Sequence, residues 1–414
     1  MQPRKSAELP VMSDSTVELI RMLDRGDSLD KIYHALIESD LIKGIGDSCF
    51  EGKELNILLH SMSRELLRSI LMKTLGPDLY DKDFSSKKLW GRVLSNDGPG
   101  AYIVFIFIRD RKGRFLCVKE IKELVGLLRL YAKAVDIYQV HKAQDQYGSS
   151  QIMPEEEEAI RVGMTIDDAE RAKKHYPQHY EGDLESFQPR FISSIKDHNV
   201  KASENINQLI RMLKKRCLPG VDEETFQMQS PLLVGNSGDI SRRASDHLQG
   251  KSLSQTPKVW GLLLSCLSVM GLPYETRFAT LFRAWKDADQ INHAEILGTI
   301  LAGSLLSVDG CNAKQPGTRA GDGRIDAFGY ENSKKHIFAG VSWFRENLKQ
   351  SNEDRHNDPE EEREFQDMVT EMQENSRRLK EIKTTIDQGL AKIEDAKTSF
   401  ERAKVEALKH LKSL

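Results

Sequence analysis

The sequence has little of what identifies secreted, disulfide-bonded or zinc-binding proteins. Its 414 residues contain five cysteines, at positions 49, 117, 217, 266 and 311, and no two of them form a CxxC pair. Such scattered cysteines indicate free thiols in a reducing compartment, so we expect an intracellular, cytoplasmic protein. Residues 1–5 are not followed by an apolar run, and we therefore expect no signal peptide.

The sequence also lacks an excess of charge of one sign. Lys and Arg number 60 against 63 Asp and Glu, which gives a formal net charge of -3. This balance excludes a uniformly basic nucleic-acid-binding protein but permits a local basic groove. The longest apolar helical run, residues 259–270, is shorter than the roughly 20 residues that cross a bilayer. No membrane span is therefore expected.

No catalytic signature is present in the sequence. His175 and His179 have the spacing of a helical metal site but lack the glutamate of HExxH, so we interpret them as two surface histidines. Gly321 and Gly323 follow no strand and complete neither a dinucleotide fingerprint nor a P-loop. We expect no enzymatic activity, no metal and no cofactor.

Helical periodicity dominates what the sequence does contain. Residues 259–270 predict a buried helix that ends before Pro273. Residues 274–288 and 292–308 predict two more amphipathic helices. On the first of these two, four large apolar side chains share one helical face: Phe278, Leu281, Phe282 and Trp285. Three linked amphipathic helices can enclose a core, which predicts a helical lobe in the C-terminal half.

One stretch of the N-terminal half has the composition of β-strands. Residues 102–108 are rich in β-branched and aromatic side chains, and residues 110–113 can turn the chain. Residues 114–118 can return it, so we predict a β-hairpin with a basic tip near residues 102–118.

The sequence therefore predicts a mainly α fold with two helical lobes, one β-hairpin in the N-terminal lobe and a C-terminal heptad helix. The boundary between the lobes is placed in a stretch rich in Ser, Gly, Asp and Gln. In chain order we predict an N-terminal arm (1–12), an N-terminal helical lobe (13–216), a linker (217–257), a C-terminal helical lobe (258–350) and a long heptad helix or coiled coil (358–414).

The C-terminal segment carries an unbroken seven-residue apolar spacing. Its members are Phe365, Met372, Leu379, Ile386, Ile393, Phe400 and Ala407. The positions three residues later are less apolar and include Asn375, Gly389 and His410. The spacing predicts either a two-stranded coiled coil or a single long helix packed on its own chain, and both alternatives stay open.

Basic residues gather in three stretches of the sequence. From Lys87 to Lys122 there are nine Lys and Arg against three acidic residues, and two further clusters lie at 211–216 and within the glycine-rich stretch after residue 309. Lys and Arg neutralise phosphates, and rings among them can stack on bases. Ordinary solvated charge explains each cluster alone, but clusters on both sides of the predicted linker favour a groove between two lobes. The residues predicted to bind RNA are Lys87, Lys88, Arg92, Arg109, Arg111, Lys112, Arg114, Arg211, Lys214, Lys215, Arg216, Arg319 and Arg324.

This layout resembles the nucleoproteins of negative-strand RNA viruses, which clamp RNA between two helical lobes and polymerise. The resemblance spans residues 13–348, and its nearest local similarity runs from Trp90 through residues 102–108 to residues 124–131. It is a resemblance of layout, so no family residue is transferred to this chain.

The resemblance implies a structural protein that coats single-stranded RNA without sequence preference and self-assembles into a homo-oligomeric ribonucleoprotein, the nucleocapsid of a virion if the source is viral. A polymerase-associated protein is a further implied partner. The alternative function is a coiled-coil oligomeric adaptor, or a polymerase-cofactor scaffold, that binds proteins.

Overall fold

The computed structural model describes most of the chain. The described residues are 12–42, 52–80, 98–144, 152–169, 184, 187–192, 202–247, 253, 256–314, 316–317, 327–340, 342–356 and 359–411. The chain divides into two compact units, Met1–Leu348 and Lys349–Leu414. Its described residues are mainly helical, with one three-stranded antiparallel sheet, so the predicted mainly α class is confirmed.

The described helices before the sheet are α1 (Asp14–Arg25), α2 (Leu29–Glu38), α3 (Gly52–His60), α4 (Arg64–Met72) and α5 (Leu75–Tyr80). Serine hydroxyls begin three of them. Ser13, Ser28 and Ser63 each accept a hydrogen bond from the backbone N–H three residues later, which satisfies a donor that has no partner inside the helix.

The sheet is built around strand β1 (Gly100–Ile108). Strand β2 (Leu232–Ser237) and strand β3 (Tyr274–Arg283) pair with its two edges, both antiparallel, in the order β2-β1-β3. Gly100 lies opposite Ser237 on one side, and Ile108 lies opposite Tyr274 on the other. The sheet therefore joins segments that are far apart in the sequence.

All nine residues of β1 are buried, because helices cover both faces of the sheet. Alternate side chains enter two separate apolar clusters, as the two-residue period of a strand requires. Tyr102, Val104, Ile106 and Ile108 enter one cluster, and Ala101, Ile103, Phe105 and Phe107 enter the other.

The first cluster packs against α6 (Val118–Gln144), α8 (Glu204–Lys215) and α10 (Lys258–Val269), and helix α7 (Pro154–Asp167) lies against α6. The second packs against α1 to α4 and α11 (Ala288–Ala302). A short helix α9 (Ile240–Ser245) follows β2, and α12 (Ala327–Lys335) and α13 (Ser342–His356) follow α11. The core of the larger unit thus consists of a sheet between two layers of helices.

The predicted β-hairpin is wrong in its second strand. The chain does turn after Ile108, and the Ile108 N–H donates to the Arg114 carbonyl over 3.0 Å. Residues 114–117 nevertheless form no strand. β3 pairs with one edge of β1 along all nine residues, and β2 pairs with Gly100–Phe105 on the other edge. Phe115 and Leu116 bond to the backbone of Gln227 instead.

The predicted helix at residues 274–288 is also wrong, since residues 274–283 form β3. The helix was predicted from apolar residues spaced three and four positions apart. The same segment also contains β-branched and aromatic residues at every second position, which is typical of a strand: Tyr274, Thr276, Phe278 and Thr280. Nine residues of β1 pair with this segment. Sheet pairing therefore overrode helical periodicity.

The predicted linker, residues 217–257, contains β2 and α9. The sheet takes one strand from each of three predicted parts: the N-terminal lobe, the linker and the C-terminal lobe. The two predicted helical lobes are accordingly one body built around a common sheet.

The first turns of helix α13 pack on the turn between α3 and α4. The indole N–H of Trp343 donates to the Ser61 carbonyl over 2.9 Å. The Asn347 amide donates to the carbonyls of His60 and Met62 over 2.9 and 3.0 Å. These bonds satisfy backbone carbonyls that the interruption of the helix leaves unpaired.

The smaller unit contains helix α14 (Pro359–Leu411), which is 53 residues long and includes the predicted heptad segment. The prediction of a long helix over this segment agrees with the structure.

The burial of α10 gives a direct test of the core. Leu264 is wholly buried in the first cluster, so Leu264→Ala should lower the free energy of unfolding by about 2–5 kcal/mol. Val140→Ala on α6 is the control, because Val140 is 53% exposed and its truncation leaves no cavity. Urea denaturation measures both variants, and similar small losses in the two would contradict this packing.

Candidate nucleic-acid interface

Eight of the thirteen basic residues predicted to bind RNA lie in the described part of the chain. The other five fall outside the described residues: Lys87, Lys88, Arg92, Arg319 and Arg324. The eight belong to two groups. We term them the β1 turn, residues 109–114, and the α8 end, residues 211–216.

The β1 turn is a tight reversal fixed by backbone contacts. The Arg109 N–H donates to the Pro273 carbonyl over 2.9 Å. Gly113 has a φ of 79°, and a Cβ at this position would stand 2.1 Å from the Gly76 carbonyl oxygen, so only glycine fits here. The turn is thereby held against α5, with Lys112 and Arg114 exposed.

Arg111 of the β1 turn has a structural role. Its guanidinium donates two hydrogen bonds to the Glu120 carboxylate, over 2.7 and 2.8 Å, and lies 4.0 Å above the Phe226 ring. Burial raises the pKa of Glu120, but the bonds from Arg111 and from the Cys117 N–H outweigh it and leave that pKa below its usual value. This bidentate pair occupies the donors that a phosphate would need.

Arg216 of the α8 end is buried in an ionic cluster. Its Nη2 and the Lys73 Nζ each lie 2.6 Å from Oδ2 of Asp309, and its Nη1 donates to the Gln229 carbonyl over 3.1 Å. All three ionic side chains are 6% exposed or less. We term this group the buried triad. Arg216 is therefore part of the core.

The buried triad holds two cations and one carboxylate. Burial lowers the pKa of the Lys73 ammonium; the Asp309 carboxylate offsets part of this effect, and the Arg216 charge adds to it. The shared carboxylate joins the end of α4, the end of α8 and the loop after α11. Such a cluster is costly to desolvate and depends on every partner being present.

A cavity of about 300 Å³ adjoins Arg216. Its lining is rich in methionine and other apolar side chains, among them Met12, Met72, Met228 and Val221. The remaining lining is polar, and Arg216, its charged member, is already paired with Asp309. The cavity therefore does not extend the basic surface.

The remaining residues of the α8 end are on the surface. Helix α8 buries Ile206, Leu209 and Leu213 on one face. Arg211, on the opposite side, donates to Glu204 over 2.7 Å. Lys214 and Lys215 are exposed in the last turn and have no ion-pair partner among the described residues.

The β1 turn and the α8 end are connected through residues 217–230. The Gln227 side-chain amide donates to the Arg216 carbonyl over 2.7 Å, and the Phe115 N–H donates to the Gln227 carbonyl over 2.7 Å. The same segment carries acidic residues: Glu224 lies 3.1 Å from Lys119, and Glu223 pairs with Lys122. The structure thus brings two of the predicted clusters to one segment that carries charge of both signs.

Sequence reasoning missed Lys73 and Asp309, the partners of Arg216. Asp309 follows Lys73 by 236 residues, and neither residue stands in a charged run or a motif. The one local signal is a lysine at the end of an apolar helix, which is common at helix termini and identifies no partner.

Comparisons of the chain with protein-family models, with curated proteins and with solved structures found no match. Within the described residues, no cluster of His, Cys, Asp and Glu is arranged to hold a metal ion. No described helix combines the length and apolar character needed to span a membrane.

The buried triad predicts unequal effects for its members. Asp309→Asn leaves two buried cations without an anion, and loss of one partner from a buried pair costs about 3–5 kcal/mol. Lys73→Met leaves the Arg216–Asp309 pair intact and substitutes an apolar chain of similar length, so its cost should be smaller. Urea denaturation gives both free energies of unfolding. Equal losses would show that Asp309 is not the shared partner.

The lowered pKa of Lys73 also gives stability a pH dependence of known sign. An unfolded lysine keeps its ordinary pKa of 10.5, so between the lowered folded pKa and 10.5 the unfolded state binds more protons. The free energy of unfolding of the wild type should therefore rise relative to that of Lys73→Met as pH increases through this range. Urea titrations of both proteins, from neutral pH to pH 10.5, measure the difference. A constant difference would mean that Lys73 is not titrating there.

Proposed function

We propose that this protein is a structural RNA-binding protein that coats single-stranded RNA without sequence preference and self-assembles, in the manner of viral nucleoproteins. The observation that carries the proposal is a set of five exposed basic side chains at the β1 turn and the α8 end: Arg109, Lys112, Arg114, Lys214 and Lys215. Phe115, the residue after the β1 turn, and Arg216 of the α8 end both bond to Gln227 of the segment 217–230.

The chemistry of these side chains suits the RNA backbone. Lysine and arginine on flexible stems neutralise phosphates and carry little information about base identity, so binding would be independent of sequence. Arg109 lies 3.8 Å from Glu275, and its side chain is about half exposed. Arg111 and Arg216 are excluded from the proposed surface because internal carboxylates already occupy them.

The cytoplasm is the proposed compartment of this ribonucleoprotein. Cys117, Cys217, Cys266 and Cys311 are free thiols, which supports a reducing environment.

Salt dependence of RNA binding tests the proposal. Fluorescence anisotropy with two RNA oligonucleotides of unrelated sequence should give similar affinities that fall steeply with salt. Each neutralised phosphate contributes about 0.7 to the log–log slope on single strands, so Lys214→Ala/Lys215→Ala should reduce the slope by about 1.4.

Lys119→Ala/Lys122→Ala is the matched control for this double variant. It removes the same charge from two exposed lysines, but Glu224 and Glu223 already pair with them. Its slope should change less. Absence of RNA binding at low salt, or equal changes in the two variants, would overturn the proposed surface.

A second candidate function is a coiled-coil oligomeric adaptor that binds proteins. The observation in its favour is helix α14, on which large apolar side chains are exposed. The ratio of absorbance at 260 and 280 nm of the purified protein distinguishes the two candidates. A raised ratio supports RNA coating, and an oligomer with the ratio of pure protein supports the adaptor.

A further inference from the structure

Helix α14 exposes a series of large apolar side chains to solvent. Met372, Leu379, Ile382, Ile386, Leu390, Ile393 and Phe400 are each between 54% and 69% exposed. Large apolar side chains arranged in one row mark an interaction surface, because each buried methylene stabilises a complex by about 0.8 kcal/mol.

The heptad spacing defines two columns within residues 372–403. The first column is Met372, Leu379, Ile386, Ile393 and Phe400, and the second column, three residues later in each heptad, is Asn375, Ile382, Gly389, Ala396 and Ala403. Every residue of the first column is large. The second column becomes small from Gly389 onward.

Two parallel copies of α14 would match these columns badly. In a parallel pair each column faces the same column of the other helix. In the first column, large side chains of one helix would face large side chains of the other. At Gly389, Ala396 and Ala403, small side chains would face small side chains. One distance between helix axes cannot suit both kinds of layer, so voids would remain in a seam that should pack densely.

Two antiparallel copies match far better, because the first column of each helix then faces the second column of the other. With the centre between residues 387 and 388, Met372 lies opposite Ala403, Leu379 opposite Ala396, and Ile386 opposite Gly389 of the second copy. Ile393 lies opposite Ile382, and Phe400 opposite Asn375. Every small residue of the second column therefore faces a large residue.

The charges that flank the columns favour the same direction. A parallel pair would bring Arg378 beside Lys383 and Lys392 beside Lys397 of the other helix, which are two like-charge pairs on each side. The antiparallel pair brings Arg378 beside Ser399 and Lys392 beside Thr385. Within residues 372–404 it juxtaposes no like charges, and the Lys383 stem covers Leu390.

From these two complementarities we infer that α14 pairs with α14 of a second copy of this chain as an antiparallel coiled coil centred between residues 387 and 388. The inference rests on the self-association contained in the proposed function and identifies the partner and direction of that contact. It does not depend on RNA binding.

Cross-linking of cysteine variants of the full chain tests the direction. Met372→Cys and Ala403→Cys chains with different affinity tags are co-expressed and oxidised. The antiparallel pair should give a disulfide between the two kinds of chain. It should give none between two Ala403→Cys chains, because those positions would be about 46 Å apart along the seam, whereas a disulfide needs Cα atoms within about 7 Å.

Two controls keep the result interpretable. Wild-type chains with the same tags report any cross-linking through the native cysteines. Leu379→Cys with Ala396→Cys is a second pair, so that one unfavourable side-chain geometry does not decide the outcome.

The outcomes separate this inference from the proposed function. A disulfide between two Ala403→Cys chains would overturn it in favour of a parallel pair. No cross-link from either mixed pair, in a chain that sedimentation shows to be oligomeric, would overturn it while leaving self-association intact. A monomer in sedimentation would overturn both the inference and the self-assembly part of the proposed function.

Discussion

The larger unit depends on one constraint: strand β1 has no residue that can face water. Nine consecutive buried residues require both faces of the strand to be covered and both edges to be paired. The chain meets the first requirement with helices on each side of the sheet. It meets the second with β3 along all nine residues, with β2 along Gly100–Phe105, and with the Arg114 carbonyl at Ile108. Helices from both ends of the unit pack on this one strand, so it determines where the loops and the basic side chains lie.

Charge in this protein has two separate uses that the sequence does not distinguish. Arg111 and Arg216 are held by carboxylates inside or at the edge of the core. The bond of Arg216 to Asp309 joins distant segments, and that of Arg111 to Glu120 fixes the β1 turn to the start of α6. Lys112, Lys214 and Lys215 are solvated and cost little to keep there. Only the second kind is available to an external anion, because a buried cation cannot leave its carboxylate without a penalty of several kcal/mol.

Local signals predicted the parts of this fold that local forces determine. Apolar helical periodicity located α10, the seven-residue spacing located α14, and the composition of residues 102–108 identified β1 as a strand. The partners of β1 could not be predicted, since pairing depends on segments far away in the sequence. Strand β3 in particular was predicted as a helix, because Phe278 and Leu281 have helical spacing. The same limit applies to the candidate site, since nothing near Arg216 in the sequence shows that Asp309 neutralises it.

The order of the strands has a consequence for how the protein is made. β2 begins roughly 125 residues after β1 ends, and β3 roughly 165 residues after it. At a synthesis rate of about 5–20 residues per second, β1 emerges from the ribosome roughly 10 s or more before its second edge can be paired. During that interval an apolar strand with open edges can associate with other nascent chains. We therefore expect the yield of folded protein to depend on how well β1 is protected during translation.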